Sequence, residues 1–266
     1  MPGADLGVLR QPLAAIMREA GALAFRTYRS DALRSWTKGG HSPVSEADIA
    51  VDRLLNERLG ALVPQAAWLS EETEDDAARL ASDTVWIVDP IDGTRAYIAG
   101  FADWTISVAL VRGGRPALAA LYAPATDELF LASAGGGAML NDRPLSVTAG
   151  AGIDGVSVAG PRRYLDWIAG IAPQTVAAPK IHSLALRLAR VAQGAIDTAF
   201  TGGRSHDWDL AAADLLVHEA GGALTDFHGR TLTYNNAKPV HEALIAAGAA
   251  RHATLVELAR ERGPSR

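Results

Sequence analysis

Leu9, Leu13, Ile16, Met17, Ala20, Leu23 and Ala24 recur at three- and four-residue intervals, which predicts an amphipathic helix ending near Tyr28. Pro12 suits the first turn of such a helix better than its middle. Polar positions then dominate residues 36–44, with Gly39, Gly40 and Pro43, and predict a loop. A second helix is expected from Ser45, burying Val51, Leu54, Leu55, Leu59 and Leu62. Ser45 and Asp48 have the Ser-x-x-acid spacing of a capping box, which gives Asp48 an ordinary structural role. A short strand around Trp68 leads into an acidic run at 71–76, and the apolar residues 86–88 predict a buried strand. Segments 105–112, 116–122 and 128–133 read as strands, and their short links imply antiparallel pairing.

Beyond about residue 150 the pattern alternates strand and helix: strands at 156–159, 196–200 and 243–247, helices at 183–192, 207–220 and about 249–261. The expected division is therefore an α+β half at 1–150, with two helices and a largely antiparallel sheet, and an α/β half at 151–266, with the active site between them. No repeat and no long linker interrupts the 266 residues.

Composition narrows the function classes. Apolar residues are 48% and charged residues 21%, an ordinary globular balance. The net charge of −5, without a basic block, predicts no nucleic-acid polymer as partner. The absence of cysteine removes thiolate metal sites and cysteine nucleophiles, and fits a reducing compartment. No secretory leader and no apolar run near the ~20 residues of a membrane span is present, so a cytoplasmic protein without a membrane partner is expected.

The candidate chemistry lies in Asp89-Pro90-Ile91-Asp92-Gly93-Thr94, at the end of the buried strand. Pro90 holds Asp89 extended and Gly93 permits a tight turn, so two acids and a hydroxyl are delivered together. Haloacid dehalogenase phosphotransferases also place acids after a strand, but two residues apart; Asp89 and Asp92 are three apart. Glu71-Glu72 follows another short strand, and Asp209 sits in the first turn of a helix, where anions are favoured. Each acid has a bland alternative: a solvated run for residues 71–76, a turn for Asp92-Gly93, a helix-end charge for Asp209. If Glu71, Asp89, Asp92 and Asp209 converge, their repulsion must be offset by cations, and an all-oxygen set favours Mg²⁺ or Mn²⁺. The glycines at 135–137 do not open a helix and make a poor phosphate loop. The seven histidines show no zinc-ligand spacing; His182 and His206 could reach the substrate mouth, but a core or cap role is the expectation.

Together, Lys38, Ser42-Pro43-Val44-Ser45-Glu46-Ala47-Asp48, Glu71-Glu72, the 89–94 segment, Trp208-Asp209 and Glu219-Ala220-Gly221-Gly222 resemble the inositol monophosphatase family of Mg²⁺-dependent, lithium-sensitive phosphatases. The resemblance implies an αβαβα layered sandwich and two or three Mg²⁺ per site, with Mn²⁺ a possible substitute. It makes Asp89 a bridge between metals, Glu71 and the Ile91 carbonyl further ligands of one, and Asp92 and Asp209 ligands of the other. Glu72 would orient water at the metals, Thr94 paired with Asp48 would help deprotonate the attacking water, and Lys38 would stabilise charge. Gly93 and Thr94 amides would hold phosphate, with Ser183 and Arg204 facing the substrate. The substrate is expected to be a small-molecule phosphate monoester, and the family makes a homodimer an expectation. Gly202 stands where inositol monophosphatases carry a hydroxyl-binding glutamate, seven residues before Asp209. With Arg204 two residues on, this resembles the 3′(2′),5′-bisphosphate nucleotidase branch, which acts on 3′-phosphoadenosine 5′-phosphate; residues 92–98 and 231–235 look similar to that branch as well. Inositol-1-monophosphatase and histidinol-phosphatase are the alternatives, and a catalytically silent regulatory protein is the alternative of a different class.

Overall fold

The computed structural model describes residues 6–38 and 42–263. Helix α1 (Leu6–Phe25) buries Leu13, Met17, Ala20 and Ala24, with Pro12 inside its second turn. Strands β1 (Ser35–Lys38) and β2 (Ser42–Ser45) then form an antiparallel ribbon, pairing Trp36 with Val44. The loop expected at 36–44 is thus largely a hairpin; Gly39 and Gly40 lie outside the described residues. The ribbon escaped the pattern because only Val44 turns into the core while Trp36 stays half exposed, so no two-residue alternation is visible. Helix α2 (Glu46–Leu62) starts with the expected capping box, Asp48 accepting from the Ser45 amide at 2.8 Å.

Strands β3 (Ala67–Ser70), β4 (Thr84–Asp92), β5 (Thr105–Arg112), β6 (Arg115–Ala123), β7 (Glu128–Ser133), β8 (Ala138–Leu140) and β9 (Arg143–Pro144) form a seven-stranded sheet in sequence order. Only β3 and β4 pair in parallel. A 3-10 turn (Ala77–Ala81) links these two, and the short helix α3 (Thr94–Ile98) follows β4. The rest of the chain supplies β10 (Ser157–Ala159), α4 (Arg162–Ile171), β11 (Val176–Ala177), α5 (Leu184–Ala192), β12 (Thr198–Phe200), β13 (Ser205–His206), α6 (Asp207–Glu219), β14 (Gly222–Asp226), β15 (Val240–His241), β16 (Leu244–Gly248) and α7 (Ala249–Arg262). A second sheet runs β11-β10-β12-β16-β14 with mixed directions. Helix α4 escaped the sequence reading because it buries only Tyr164 and Ile168.

Side-chain alternation along the strands separates the layers. Trp86, Val88, Ile106, Val108 and Leu118 pack against α1 and α2. Val85, Ile87, Ala109, Ala119 and Leu121, on the opposite face, pack against α5 and α6, which also cover Ala199, Leu224 and Ala246 of the second sheet. The outer face of that sheet packs Val158, Phe200 and Ile245 against Tyr164 and Ile168 of α4 and Leu255 of α7. The result is an α–β–α–β–α sandwich, with α5 and α6 in the middle layer. The glycine turn after β7 holds the far end of α6: the Gly135 and Gly137 amides each donate to Glu219 at 2.8 Å. Among the described residues no helix is long and apolar enough to cross a membrane.

Candidate active site

Strand β4 ends irregularly, and that irregularity aims its acids. Asp89 still pairs with Ser107 of β5, but the next pair is Asp92 with Thr105, so the register shifts across Pro90 and Ile91. Asp89 is buried and its Oδ1 accepts the Ile91 amide at 3.0 Å, which fixes the turn locally. Gly93 has φ of +93°, which favours glycine, and a Cβ there would lie a tight 3.3 Å from the Ser183 nitrogen and 3.4 Å from the Asp103 carbonyl oxygen. The Thr94 hydroxyl faces two acceptors, the Ile91 carbonyl at 3.0 Å and Asp48 Oδ1 at 3.2 Å, with one hydrogen to give. The other Asp48 oxygen accepts the Ser45 hydroxyl at 2.5 Å, and burial pushes the Asp48 pKa up to about 6 against these bonds.

Two helix starts converge on the same place. Asp92 accepts the Ser183 hydroxyl and the Ala185 amide at 2.6 Å each and the Leu184 amide at 3.2 Å, so it sits on the free amides of α5. Asp209, partly buried in the first turn of α6, accepts the His206 amide at 2.6 Å. Carboxylate oxygens of Asp89, Asp92 and Asp209 lie within 4.8 Å of one another. Among the described residues no lysine or arginine forms an ion pair with them; His206 Nδ1 stands 3.9 Å from Asp209. Burial and then Glu71 drive the Asp89 pKa far upward, and burial and then Asp92 push Asp209 to about 7. Glu71 is pushed to about 8 by burial and then by Asp209, Glu72, Asp48 and Asp92. Crowded carboxylates with oxygen-only donors are the donor set of a hard divalent cation, so the residues fit Mg²⁺.

The acidic run at 71–76 is tied into the fold at its start and through Asp75, while residues 73–76 stay exposed. Asp52 accepts the Ser70 hydroxyl at 2.5 Å and the Thr73 hydroxyl at 2.7 Å. Arg79, buried, forks onto Asp75 at 2.5 and 2.8 Å and reaches Asn235 at 2.7 Å. Lys38, at the end of β1, donates to the Glu71 carbonyl at 2.6 Å and pairs with Glu72 at 3.3 Å. Burial raises the Glu72 pKa and Lys38 opposes the rise.

A cavity of about 500 Å³ opens over these acids, lined by Glu71, Asp89, Ile91, Asp92, Gly93, Thr94 and Asp209 from the expected set. Pro43, Arg95, Lys180, Ile181, His182 and Arg187 complete the lining; sequence reasoning set His182 aside as core or cap and did not single out the other five as site residues. Arg187 had a readable signal: it lies four residues after Ser183, one turn along the same helix face. His182 pairs with Asp103 at 2.7 Å and stacks on Phe101, with centroids 5.2 Å apart. Ser183 is fully buried behind Asp92, accepting the Leu186 amide at 2.9 Å, so its hydroxyl does not line the cavity. Arg204 is exposed, donates its amide to the His241 carbonyl at 2.8 Å and stands outside the cavity lining. Tyr234 is buried, donating to Asp214 at 2.9 Å.

Known proteins share both the sequence pattern and this architecture. The profile of the inositol monophosphatase family matches residues 8–263. An inositol-1-monophosphatase of Rhizobium meliloti is 36% identical over 220 residues, 79% of this chain and 80% of that protein. The Nus factor SuhB of Escherichia coli is 32% identical over 222 residues, 80% of this chain and 82% of that protein. The crystal structure of the extragenic suppressor protein suhB from Bartonella henselae superposes with a TM-score of 0.84 at 28% identity, covering 96% of this chain and 99% of the other.

Proposed function

The chain belongs to the inositol monophosphatase family, and from that premise we propose that it hydrolyses a small polyol-type phosphate monoester with Mg²⁺, inositol 1-phosphate being the reference substrate. The observation that carries the reading is the group of Asp89, Asp92 and Asp209 oxygens within 4.8 Å of one another, beside the Thr94–Asp48 pair. Asp89, Asp92 and Asp209, with Glu71 and the Ile91 carbonyl, would hold the cations. Bound there, Mg²⁺ supplies a water of lowered pKa and positive charge against the phosphoryl oxygens.

The chain's own part is proton handling and positioning. Thr94 can give its hydrogen either to Ile91 or to Asp48. With its hydrogen directed at Asp48, Thr94 has a lone pair to take a proton from attacking water as it passes its own to the Asp48 carboxylate. Ser45 fixes the Asp48 carboxylate for this role. The Gly93 and Thr94 amides, at the turn into α3, hold phosphate oxygens. Glu72, held by Lys38, orients the water, and Lys38 tempers the negative charge of the site.

Among finer readings, inositol monophosphatase now stands ahead of bisphosphate nucleotidase. The nucleotidase reading rested on Gly202 in place of the hydroxyl-binding glutamate, on Arg204 and on residues 92–98 and 231–235; of these Arg204 does not line the cavity, while the Rhizobium relative is named an inositol-1-monophosphatase. A catalytically silent regulatory protein is the reading that the Nus factor names keep in view. One assay separates these: phosphate release with Mg²⁺ from inositol 1-phosphate, 3′-phosphoadenosine 5′-phosphate, histidinol phosphate and fructose 1,6-bisphosphate. Turnover of inositol 1-phosphate supports the phosphatase, and no release from any of the four with Mg²⁺ or Mn²⁺ overturns it.

A further inference from the structure

Helix α2 reaches the candidate site twice. Asp48 meets Thr94 in the turn after β4, and Asp52, one helical turn further along the same face, meets the turn after β3. Glu71 and Glu72 occupy that second turn, and Asp52 holds the residue on either side of them. The Ser70 hydroxyl donates to its Oδ1 at 2.5 Å and the Thr73 hydroxyl to its Oδ2 at 2.7 Å. A carboxylate only accepts, so both hydroxyl hydrogens are committed to it and both hydroxyl oxygens are left to accept in turn. Ser70 takes the Glu72 amide at 3.3 Å, and Thr73 takes the Trp68 indole at 3.2 Å. One buried carboxylate thus bridges the Glu71–Glu72 dipeptide and orders two further bonds behind the bridge.

Fastening α2 to β3 does not by itself call for a charge at this place. Burial raises the Glu72 pKa, Lys38 opposes the rise, and Asp52 adds to it by repulsion. Asp75 and Asp226 each take an arginine, whereas Asp52 forms no ion pair with a basic side chain among the described residues. An amide of the same shape would spare the repulsion, but it offers a single acceptor oxygen to two hydroxyl donors. The part of the turn with least support of its own is Glu71. Its carboxylate makes no hydrogen bond or ion pair among the described residues and faces the cavity shared with Asp89, Asp92 and Asp209. The point from which that side chain starts is fixed by its backbone, whose amide donates to Val88 at 3.3 Å and whose carbonyl accepts Lys38 at 2.6 Å, and by the flanking residues that Asp52 grips.

Resting on the reading of Glu71 as a cation ligand and Glu72 as the acid that orients water, we propose that Asp52 is a positioning residue of the site. Its paired bonds to Ser70 and Thr73 hold the two glutamates where they can serve the cation, as Asp48 on the same helix holds Thr94. Removing a group that orients a metal ligand costs roughly 10- to 100-fold in metal affinity or activity.

Two variants separate this role from a merely architectural one. Asp52→Asn keeps the shape and removes the charge and one acceptor; Thr73→Val keeps the charge and removes one donor. Two quantities are read for each: the rise in Tm on adding Mg²⁺ without substrate, and the Mg²⁺ concentration that gives half-maximal phosphate release from inositol 1-phosphate. Asp52→Asn should raise that concentration roughly 10-fold or more and shrink the Mg²⁺-induced rise in Tm, with a smaller loss of kcat at saturating Mg²⁺. Thr73→Val should change both in the same direction, several-fold, and, being at an exposed residue, it carries the test if Asp52→Asn does not fold. A lower Tm in EDTA with both Mg²⁺ readouts unchanged makes Asp52 a fold contact and overturns the proposal. So does an effect confined to Asp52→Asn, because the charge and not the bonds would then be responsible. No release from inositol 1-phosphate by the wild type overturns the phosphatase reading, and the substrate-free melts still decide the role of Asp52.

Discussion

Helix α6 carries two kinds of aspartate within two turns. Asp207 and Asp214 are buried and face neutral or basic partners, although Asp214 Oδ1 makes no hydrogen bond: Asp207 accepts His241 Nε2 and the Asn235 amide at 2.7 Å each. Asp214 accepts the Tyr234 hydroxyl at 2.9 Å and lies 2.8 Å from His218 Nδ1. Asp209 has one amide of its own helix start and His206 Nδ1 at 3.9 Å, and it otherwise faces the acids Asp89 and Asp92. Burial alone therefore does not mark a functional acid here. The mark is convergence of acids on one another, with no lysine or arginine paired to them among the described residues, a crowding that a bound cation would relieve.

The contrast is broken most directly by Asp89→Asn. Losing the central carboxylate should remove about 4 kcal/mol or more of transition-state stabilisation, roughly 10³-fold in kcat/KM. The same variant should melt no lower than wild type in EDTA, since one repelling charge has gone; a large fall would assign Asp89 to the structure. Asp207→Ala should do the reverse. Leaving His241 and Asn235 unmatched should cost about 3 kcal/mol of stability, a fall of several degrees in Tm, with turnover per folded molecule retained. Thr94→Val keeps shape and deletes the shared hydrogen, and should lower kcat roughly 10²-fold with little change in melting.

A pH series sharpens the comparison without mutation. Asp209 at about 7 and Glu71 at about 8 are raised above their ordinary values in the folded protein. Their protonated forms favour folding, so this contribution is full below the unfolded carboxylate range near ~4 and is lost as pH rises through about 7 to 8. In EDTA, Tm should fall between pH 6 and 8.5, and Mg²⁺ should raise Tm more at pH 8.5 than at pH 6. A flat profile would detach the acids from the cation. The smallest effect is expected at Arg204→Ala, within about 0.5 kcal/mol on stability and twofold on any ester. A selective loss on bisphosphates there would return specificity to that loop.

Much of this was legible in the chain. The buried strand, its proline-braced acids and the capping box of α2 are local, so spacing reveals them. The five layers were expected from the family resemblance rather than from periodicity, which cannot say that α5 and α6 pack between two sheets. The β1–β2 ribbon lacked an apolar alternation and read as a loop. Where Arg204 faces was not legible, because two residues of sequence separation from Gly202 say nothing about direction once its backbone turns to φ +77°. Lys180 and Arg187 were invisible as site residues because a cavity wall is assembled from α5 and the segment before it, and neither carries a motif. Asp207 and Asp214 could not be told from Asp209 by type, since their partners lie at 218, 234, 235 and 241.

Glu219 bears on the site from the other end of α6. A helix of 13 residues is about 20 Å long, so a tilt of about 3° about its far end swings its first turn by roughly 1 Å. The two glycine amides that grip Glu219 act as the anchor of a lever whose tip is Asp209. Displacements near 1 Å can cost about 10²-fold in rate. A turn at the distant edge of the sheet thereby sets the aim of the end that carries Asp209, and its glycines are held to their place by mechanical advantage.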